Sequence, residues 1–160
     1  MKTLLTFTFI SLITLNINAQ KKIPNVNIKT LQGKTISSQS LIKEEMPVVI
    51  SFWATWCKPC LIEMEAFSEN YEDWQEEKSF NFIAVSTDDS RSSSRVKSLA
   101  AGKGWPFDIY LDTNQEFKRA LNINNVPFLI VINNKGNIIY EHSGYTSGDE
   151  FELFDFLKTL

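Results

Sequence analysis

The sequence is poor in metal-binding residues and in positive charge. It contains only two cysteines and one histidine, His142, which lies far downstream of both cysteines. A structural zinc site uses four protein ligands, so this set argues against a zinc centre, and we expect no metal. The formal net charge is −3, which argues against nucleic acid or anionic lipid as the main partner.

The sequence also lacks an apolar run long enough to cross a membrane comfortably. Its longest run, Leu4–Ile17, carries no charge but is interrupted by polar residues. Lys2 precedes this run and Ala19 follows it, which is the pattern of a secretory signal peptide. We therefore predict that residues 1–19 are a signal peptide and that the cleaved protein is soluble and exported, for example to the periplasm. A retained N-terminal anchor or a strand is the alternative.

No internal repeat or low-complexity linker divides the rest of the chain, which predicts one domain over residues 23–160. A chain of this length buries enough apolar surface to be stable without disulfide bonds. Exported domains that need disulfides for stability are usually smaller and richer in cysteine. The two cysteines, Cys57 and Cys60, therefore call for a chemical explanation.

The region around the cysteines predicts a parallel βαβ unit. Val48–Trp53 is a short, β-branched apolar run typical of a buried central strand. Phe80–Ser86 predicts the next strand. Between the two, apolar residues recur at helical spacing and share one face of a helix that follows the cysteines: Cys60, Met64, Phe67, Tyr71 and Trp74.

The flanking segments complete an α/β fold with a mixed sheet and helices on both faces. Residues 23–36 predict an N-terminal β-hairpin, and Phe128–Ile132 and Ile138–Glu141 predict an antiparallel pair joined by a tight turn. Further elements are predicted as a helix over 93–101 ended by Gly102, a strand over 107–111 and a helix over 114–121. A last helix bears Phe151, Phe154 and Leu157 and is expected to be capped by Ser147 or Asp149.

The two cysteines have the C-x-x-C spacing and stand at the predicted start of a helix. Two intervening residues bring both sulfurs into the first turn, close enough to form a disulfide. Cys57 faces the free N–H groups of that turn, which stabilise a thiolate, and a thiolate is the reactive nucleophile. Lys58 adds positive charge, and Pro59 fits the first turn because no N–H is needed there.

A structural disulfide and a metal site are the two alternative explanations for this pair of cysteines. A disulfide that closes such a short loop removes little entropy from the unfolded chain, so it contributes little to stability. A metal site lacks further cysteine or histidine ligands nearby. Redox chemistry explains the spacing better than either, and it needs no cofactor beyond the Cys57–Cys60 pair.

The segment Phe52-Trp53-Ala54-Thr55-Trp56-Cys57-Lys58-Pro59-Cys60 resembles the active-site signature of thioredoxins, and most closely that of exported TlpA/ResA-type thiol–disulfide oxidoreductases. The resemblance extends over most of residues 23–160. It implies a thioredoxin-like fold with an N-terminal hairpin and an insertion, between Ser86 and Leu121, that separates the βαβ and ββα halves. It also implies that Cys57 is the nucleophile and Cys60 the resolving thiol.

Three further positions acquire an expected role in substrate binding. The segment from Asn122 to Phe128 resembles the part of the family that leads to a cis-proline, which implies that Pro127 is cis and faces the cysteines. Proline cannot donate to a strand ladder, so it fits the start of a strand, and a cis bond there would leave the backbone of Val126 free to pair with an extended substrate. Trp56 is expected to flank the sulfurs and shape the docking surface. An ordinary trans-proline is the alternative.

Glu63 is the predicted proton-transfer residue. On a helical wheel it lies about 60° from Cys60, at about 100° per residue, whereas four other glutamates of this helix face away. A carboxylate withdrawn from water has a raised pKa and can exchange protons near neutrality. The resemblance implies the same role, since ResA-type proteins carry a glutamate at this position. Plain thioredoxin has a buried aspartate where this chain has Ser51, and Glu65 stands where the family often has proline.

These observations predict an exported thiol–disulfide oxidoreductase that reduces disulfides of periplasmic proteins. We expect disulfide-bearing protein substrates, a membrane-embedded electron donor and a monomer. Three alternatives stay open: an oxidant or isomerase of folding proteins, a peroxide reductase, and a metal-binding module that uses the same two thiols. We expect the acidic pair Asp88-Asp89 to lie in a solvated loop and His142 to lie at the surface.

Overall fold

Apolar, β-branched segments form the strands of this fold, and amphipathic segments form its helices. The computed structural model describes residues 21–160. The strands are β1 (Asn27–Thr30), β2 (Thr35–Ser37), β3 (Val48–Trp53), β4 (Asn81–Ser86), β5 (Asp108–Leu111), β6 (Phe128–Ile132) and β7 (Ile138–Ser143). The helices are α1 (Lys58–Glu77), α2 (Ser93–Lys103), α3 (Glu116–Ala120) and α4 (Asp149–Lys158), with 3-10 turns at Ser38–Leu41 and Ser90–Ser92. The predicted signal peptide, residues 1–19, lies outside the described part.

All seven strands form one mixed sheet in the order β2-β1-β5-β4-β3-β6-β7. The strand β3 lies inside this sheet, parallel to β4 and antiparallel to β6, and all six of its residues are buried. Burial on both faces explains why this strand reads as a continuous apolar run. The βαβ unit formed by β3, α1 and β4, and the mixed sheet with flanking helices, are confirmed.

Each face of the sheet has its own hydrophobic core. The helices α1, α2 and α4 cover one face, where Trp74 of α1 stacks on Phe154 of α4 with ring centroids 4.5 Å apart. The helix α3, the segment around Ile23 and the 3-10 turn that ends at Leu41 pack on the other face, where Phe117 packs edge-on against Phe52 at 5.0 Å. The first core holds α1 against the sheet, and this fixes the helix that carries the cysteines.

The predicted insertion and the N-terminal hairpin are joined through the sheet. The strand β5 of the insertion pairs in parallel with β4 and antiparallel with β1 of the hairpin. Asp112 follows β5 and is buried, and its carboxylate accepts hydrogen bonds from the backbone N–H groups of Phe117 (3.2 Å) and Lys118 (2.9 Å). This carboxylate binds the N–H groups of α3 that have no helical partner.

Two helix ends differ from the sequence prediction. The helix α2 continues through Gly102 and ends at Gly104, whose φ of +63° is a left-handed conformation that glycine adopts without strain. The helix α4 is capped by Gly148 rather than by Ser147 or Asp149, and Asp149 is its first residue. A glycine at a helix start gives no side-chain signal, whereas serine and aspartate do, so the prediction chose the wrong cap.

Other bounds shift by a few residues, and one face assignment is wrong. The helix α3 is shorter than the predicted 114–121, and β7 extends two residues beyond Glu141. Phe151 is 52% exposed although we placed it on the apolar face of α4, and the buried residues there include Leu153, Phe154 and Leu157. The ring of Phe151 lies edge-on at 5.8 Å from Trp74, at the rim of the core.

The first described residues attach to the turn that joins β6 and β7. The N–H of Ile23 donates to the carbonyl of Gly136 (2.9 Å), and the N–H of Ile138 donates to the carbonyl of Lys21 (2.8 Å). The C-terminal Leu160 lines a groove beside the same turn. Both ends of the described chain therefore meet at the end of the sheet where β3 begins.

Candidate active site

The cysteines lie where β3 ends and α1 begins. Cys57 is the residue that caps α1, and its sulfur accepts a hydrogen bond from the backbone N–H of Cys60 at 3.3 Å. The two sulfurs form a disulfide, with Cα atoms 5.3 Å apart. Pro59 lies in the first turn, as the sequence predicts. The buried strand thus delivers the motif to the carboxyl edge of the sheet with both sulfurs in one helical turn.

The electrostatic surroundings of Cys57 favour a thiolate. Its sulfur stands at the N-terminus of a helix of 20 residues, where free N–H groups and the helix dipole present positive potential. The first turn of α1 carries no acidic residue, and Lys58, which directly follows Cys57, is exposed. A negative sulfur is therefore stabilised at Cys57 once the disulfide is opened.

The two cysteines differ in access to solvent. Cys57 is 4% exposed and Cys60 is fully buried, while the neighbouring Trp56 is 70% exposed. Cys57 keeps a small exposed fraction and Cys60 keeps none, so an incoming disulfide would meet Cys57 before Cys60. This asymmetry matches the predicted roles of Cys57 as nucleophile and Cys60 as resolving thiol, and it leaves the indole of Trp56 on the surface beside them.

The bond between Val126 and Pro127 is cis, as the resemblance implied. Pro127 directly precedes β6, and β6 pairs with β3 so that Phe128 lies opposite Phe52. This register brings Pro127 to the same edge of the sheet as the cysteine motif. The structure thus brings Val126, Pro127 and the cysteines together, and their role in binding a substrate stays a prediction.

Glu63 is more deeply buried than its position on the helical wheel suggests. It lies one turn beyond Cys60, is 2% exposed, and its Oε2 accepts a hydrogen bond of 2.6 Å from the hydroxyl of Ser51. Burial raises the pKa of Glu63 from 4.5 to about 7, and the nearby carboxylates of Asp149 and Glu150 act in the same direction. The hydrogen bond from Ser51 acts in the opposite direction. The expected raised pKa is confirmed.

This raised pKa predicts how stability depends on pH. The folded chain holds the Glu63 proton more tightly than the unfolded chain, so the stabilisation is full below the unfolded pKa of 4.5 and is lost as pH rises to about 7. We expect the Glu63→Gln variant to lose this part of the pH dependence. Calorimetric Tm values of both proteins from pH 4 to 8 would show it, and parallel curves would contradict it.

Asp88 is a site residue that the sequence interpretation missed. We expected a solvated loop, but Asp88 is 4% exposed, and its carboxylate accepts three hydrogen bonds. The donors are the backbone N–H of Thr55 (2.8 Å), the hydroxyl of Thr55 (2.7 Å) and the hydroxyl of Ser86 (2.8 Å). Thr55 is the second residue before Cys57, so Asp88 fixes the turn that presents the nucleophile.

Parallel strand topology could have pointed to Asp88. Neighbouring parallel strands end at the same edge of the sheet, so the residues that follow β3 and β4 meet there. Asp88 comes two residues after β4, and Thr55 comes two residues after β3. Asp89, next to it, does lie at the surface and pairs with Arg91 at 2.7 Å.

Two other side chains near the site make contacts that the sequence analysis did not predict. His142 lies on β7 as expected, but its Nε2 is 3.1 Å from Oδ2 of Asp149, and it lines a small cavity together with Glu63. Glu65 lies within the uninterrupted helix α1, and its Oε2 accepts hydrogen bonds from Nε1 of Trp105 (3.3 Å) and Nζ of Lys103 (3.0 Å). The insertion is thereby tied to the helix that carries the cysteines.

Neither a metal cluster nor a membrane-spanning helix is found in the described chain. Among residues 21–160, no group of three or more His, Cys, Asp and Glu side chains is arranged to hold a metal ion. In the same residues, no helix has the length and apolar character needed to cross a bilayer.

Comparison with known proteins identifies the family. Residues 19–141 match the AhpC/TSA family. The chain belongs to this family. It is 28% identical over 132 residues to the thiol-disulfide oxidoreductase ResA of Bacillus anthracis, which covers 82% of this chain and 73% of the relative. It is also 29% identical over 130 residues to the thioredoxin-like protein YneN of Bacillus subtilis, over 81% of this chain and 74% of the relative.

Solved structures of similar proteins agree with this family assignment. A thioredoxin-like protein from Porphyromonas gingivalis superposes with a TM-score of 0.77 at 43% identity, covering 86% of this chain and 90% of that one. StoA of Bacillus subtilis shares the fold with a TM-score of 0.65 at 22% identity, over 83% and 97% of the two chains. The chain is a thioredoxin-like thiol–disulfide oxidoreductase of the TlpA/ResA type, as the motif implied.

Proposed function

We propose that this oxidoreductase reduces disulfides of exported proteins through a cycle of the Cys57–Cys60 pair. The observation that carries the proposal is the arrangement of one slightly exposed cysteine at a helix N-terminus, one fully buried cysteine, and a buried carboxyl one turn beyond it. This arrangement supplies a nucleophile, a resolving thiol and a proton acceptor in the order in which the reaction uses them.

The first step is attack by the Cys57 thiolate on a substrate disulfide. A new S–S bond forms between Cys57 and one substrate sulfur, and the other substrate sulfur leaves as a thiolate and takes a proton from water. Trp56 precedes Cys57 in the chain, Val126 and Pro127 lie at the same edge of the sheet, and we propose that these three residues hold the substrate backbone. The product of this step is a mixed disulfide on the accessible cysteine.

The second step resolves the mixed disulfide from inside the protein. The Cys60 thiol gives its proton to the Glu63 carboxylate, and the resulting thiolate attacks the sulfur of Cys57. The substrate leaves as a thiolate with two electrons gained, and the Cys57–Cys60 disulfide forms. A carboxyl with a pKa of about 7 is suited to this exchange near neutral pH because both of its protonation states are populated.

Direction and location rest on further features of the sequence. Pro59 between the cysteines is shared with reducing thioredoxins, while Lys58 stabilises the thiolate and shifts the couple somewhat toward oxidising. Residues 1–19 have the pattern of a signal peptide, which would deliver the domain outside the cytoplasm. An exported reductant must be reduced again after each cycle, and we propose a membrane-embedded dithiol as its electron donor.

The reduction potential against glutathione tests the direction. We expect a value nearer to about −270 mV, as in thioredoxin, than to about −120 mV, as in DsbA. A variant that carries Lys58→Pro and Pro59→His reproduces the Pro-His pair of strong oxidants, and it should move the potential upward by tens of mV, roughly. A wild-type potential at the DsbA end would support an oxidant of folding proteins instead.

A further inference from the structure

A small cavity lies against the buried carboxyl of Glu63. Its volume is about 10 Å³, which is roughly the room that one water molecule needs. Apart from Glu63 itself, the titratable groups that line it come from β7, the following loop and α4: Tyr140, His142, Tyr145, Asp149 and Glu150. The acid one turn beyond Cys60 thus shares a small cavity with a second set of ionisable groups.

Glu150 is the most deeply buried of these neighbours. It is 5% exposed, and its Oε2 accepts a hydrogen bond from the hydroxyl of Tyr145 (2.8 Å) and another from the backbone N–H of Gly148 (2.9 Å). Both donors come from the loop before α4, so they fix the carboxylate in place. The hydroxyl of Tyr145 in turn has a raised pKa because of burial and of this carboxylate.

The same pair also lines a groove on the outer surface beside the cysteine motif. Tyr145 and Glu150 border this groove of about 470 Å³ together with Lys58 and Ile62 of α1. The pair therefore forms the wall between the groove and the inner cavity.

We propose that Glu150, held by Tyr145, is a positioning residue that controls the protonation of Glu63 and thereby the pH at which Cys60 is activated. This inference rests on the role proposed above for Glu63. It assigns the start of α4, and not only the cysteine helix, to the redox machinery. The carboxylate of Glu150 acts on Glu63 as a fixed like charge in a poorly solvated space, where such charges interact strongly.

The direction of the effect follows from the charges that face Glu63. Two acidic groups of α4, Asp149 and Glu150, disfavour its ionised form, and the hydroxyl of Ser51 favours that form. His142 lies 3.1 Å from Asp149 and offsets that charge when the imidazole is protonated. Asp149 contributes more to this effect than Glu150. Glu150 is the more deeply buried of the two, and its donors are a hydroxyl and an N–H.

The experiment follows the carboxyl of Glu63 directly by ¹³C NMR in the oxidised protein across a pH titration. The wild-type midpoint is expected at about 7. In Glu150→Gln the amide oxygen still accepts both hydrogen bonds but carries no charge, so the midpoint should fall by roughly half a pH unit. Glu150→Asp keeps the charge and should hold the midpoint nearer to the wild-type value.

Glu152→Gln is the matched control, because it removes the same charge from the first turn of α4 at an exposed position outside the cavity. Its midpoint should stay at the wild-type value. An unchanged midpoint in Glu150→Gln, or an equal fall in Glu152→Gln, would overturn the proposal. Thermal unfolding of each variant verifies that it is folded.

A separate measurement tests whether Glu63 is the proton acceptor, so that its failure can be told apart from failure of the inference about Glu150. The rate at which Cys60 resolves a preformed mixed disulfide is measured against pH for wild type and Glu63→Gln. If Glu63→Gln leaves that profile unchanged, Glu63 is not the proton acceptor, whatever its midpoint is. If Glu63→Gln alters the profile while Glu150→Gln leaves the NMR midpoint in place, only the inference about Glu150 fails.

Discussion

The Cys60→Ser variant is expected to accumulate as a covalent complex with its disulfide substrate. Cys57 is accessible at the start of α1, so the first attack proceeds, but the buried thiol that would release the substrate is missing. Turnover should fall by about three orders of magnitude or more, because resolution then depends on an external thiol. Non-reducing gels and mass spectrometry of the variant mixed with a disulfide-bonded protein would detect the adduct.

The Cys57→Ser variant is the matched control for this trap. It keeps Cys60, but that sulfur is fully buried and does not reach a protein disulfide. It should form no adduct and have no turnover. An adduct through Cys60 in Cys57→Ser, with none through Cys57 in Cys60→Ser, would reverse the two roles.

The Asp88→Ala variant is expected to lose both stability and activity. The buried carboxylate accepts three hydrogen bonds, two of them from Thr55 in the turn before Cys57. Its removal leaves buried donors without partners, which costs about 3 kcal/mol of unfolding free energy. For a chain of this size this corresponds to a Tm lower by roughly 10 °C. Because the turn that positions Cys57 is loosened, the rate of attack on a disulfide should fall as well.

Asp89→Ala is the matched control for this prediction. Asp89 is the next residue in the chain, and its partner Arg91 is largely exposed, so the pair contributes little to stability. Its carboxylate also accepts a hydrogen bond from the N–H of Ser92 (3.1 Å) and so caps the turn Ser90–Ser92, so its Tm should fall less than that of Asp88→Ala, and its activity should stay close to that of the wild type. If Asp88→Ala behaved like Asp89→Ala in both measurements, the hydrogen bonds to Thr55 would have no role in holding the turn.

The features predicted correctly from the sequence are those with a strong local signal. The strand Val48–Trp53 has the bounds that its apolar run indicated, and the helix after the motif has the face that its spacing indicated. Glu63 was found because one carboxylate of that helix departs from the solvent face. In each case the sequence signal lies within a single helix or a single strand.

The features missed depend on residues that are distant in the chain. Asp88 meets Thr55 only because β3 and β4 are parallel neighbours, and Glu150 meets the cavity of Glu63 only because α4 packs beside α1. No periodicity in the sequence encodes either contact. The helix caps at Gly104 and Gly148 were missed for different reasons: Gly102 gives the same signal as Gly104 two residues earlier, and the N-cap Gly148 has no polar side chain.

Lys21 and Ile23 attach to the β6–β7 turn. The redox pair therefore lies at the opposite end of the sheet from the first described residues. That turn and Leu160 lie where β3 begins, whereas the cysteines follow its other end, about 15–20 Å away for a strand of this length. A support coupled at either end of the described chain would leave Cys57 directed away from the attached surface. Immobilisation through either end should therefore preserve access of large protein substrates, which immobilisation through Lys58 would block.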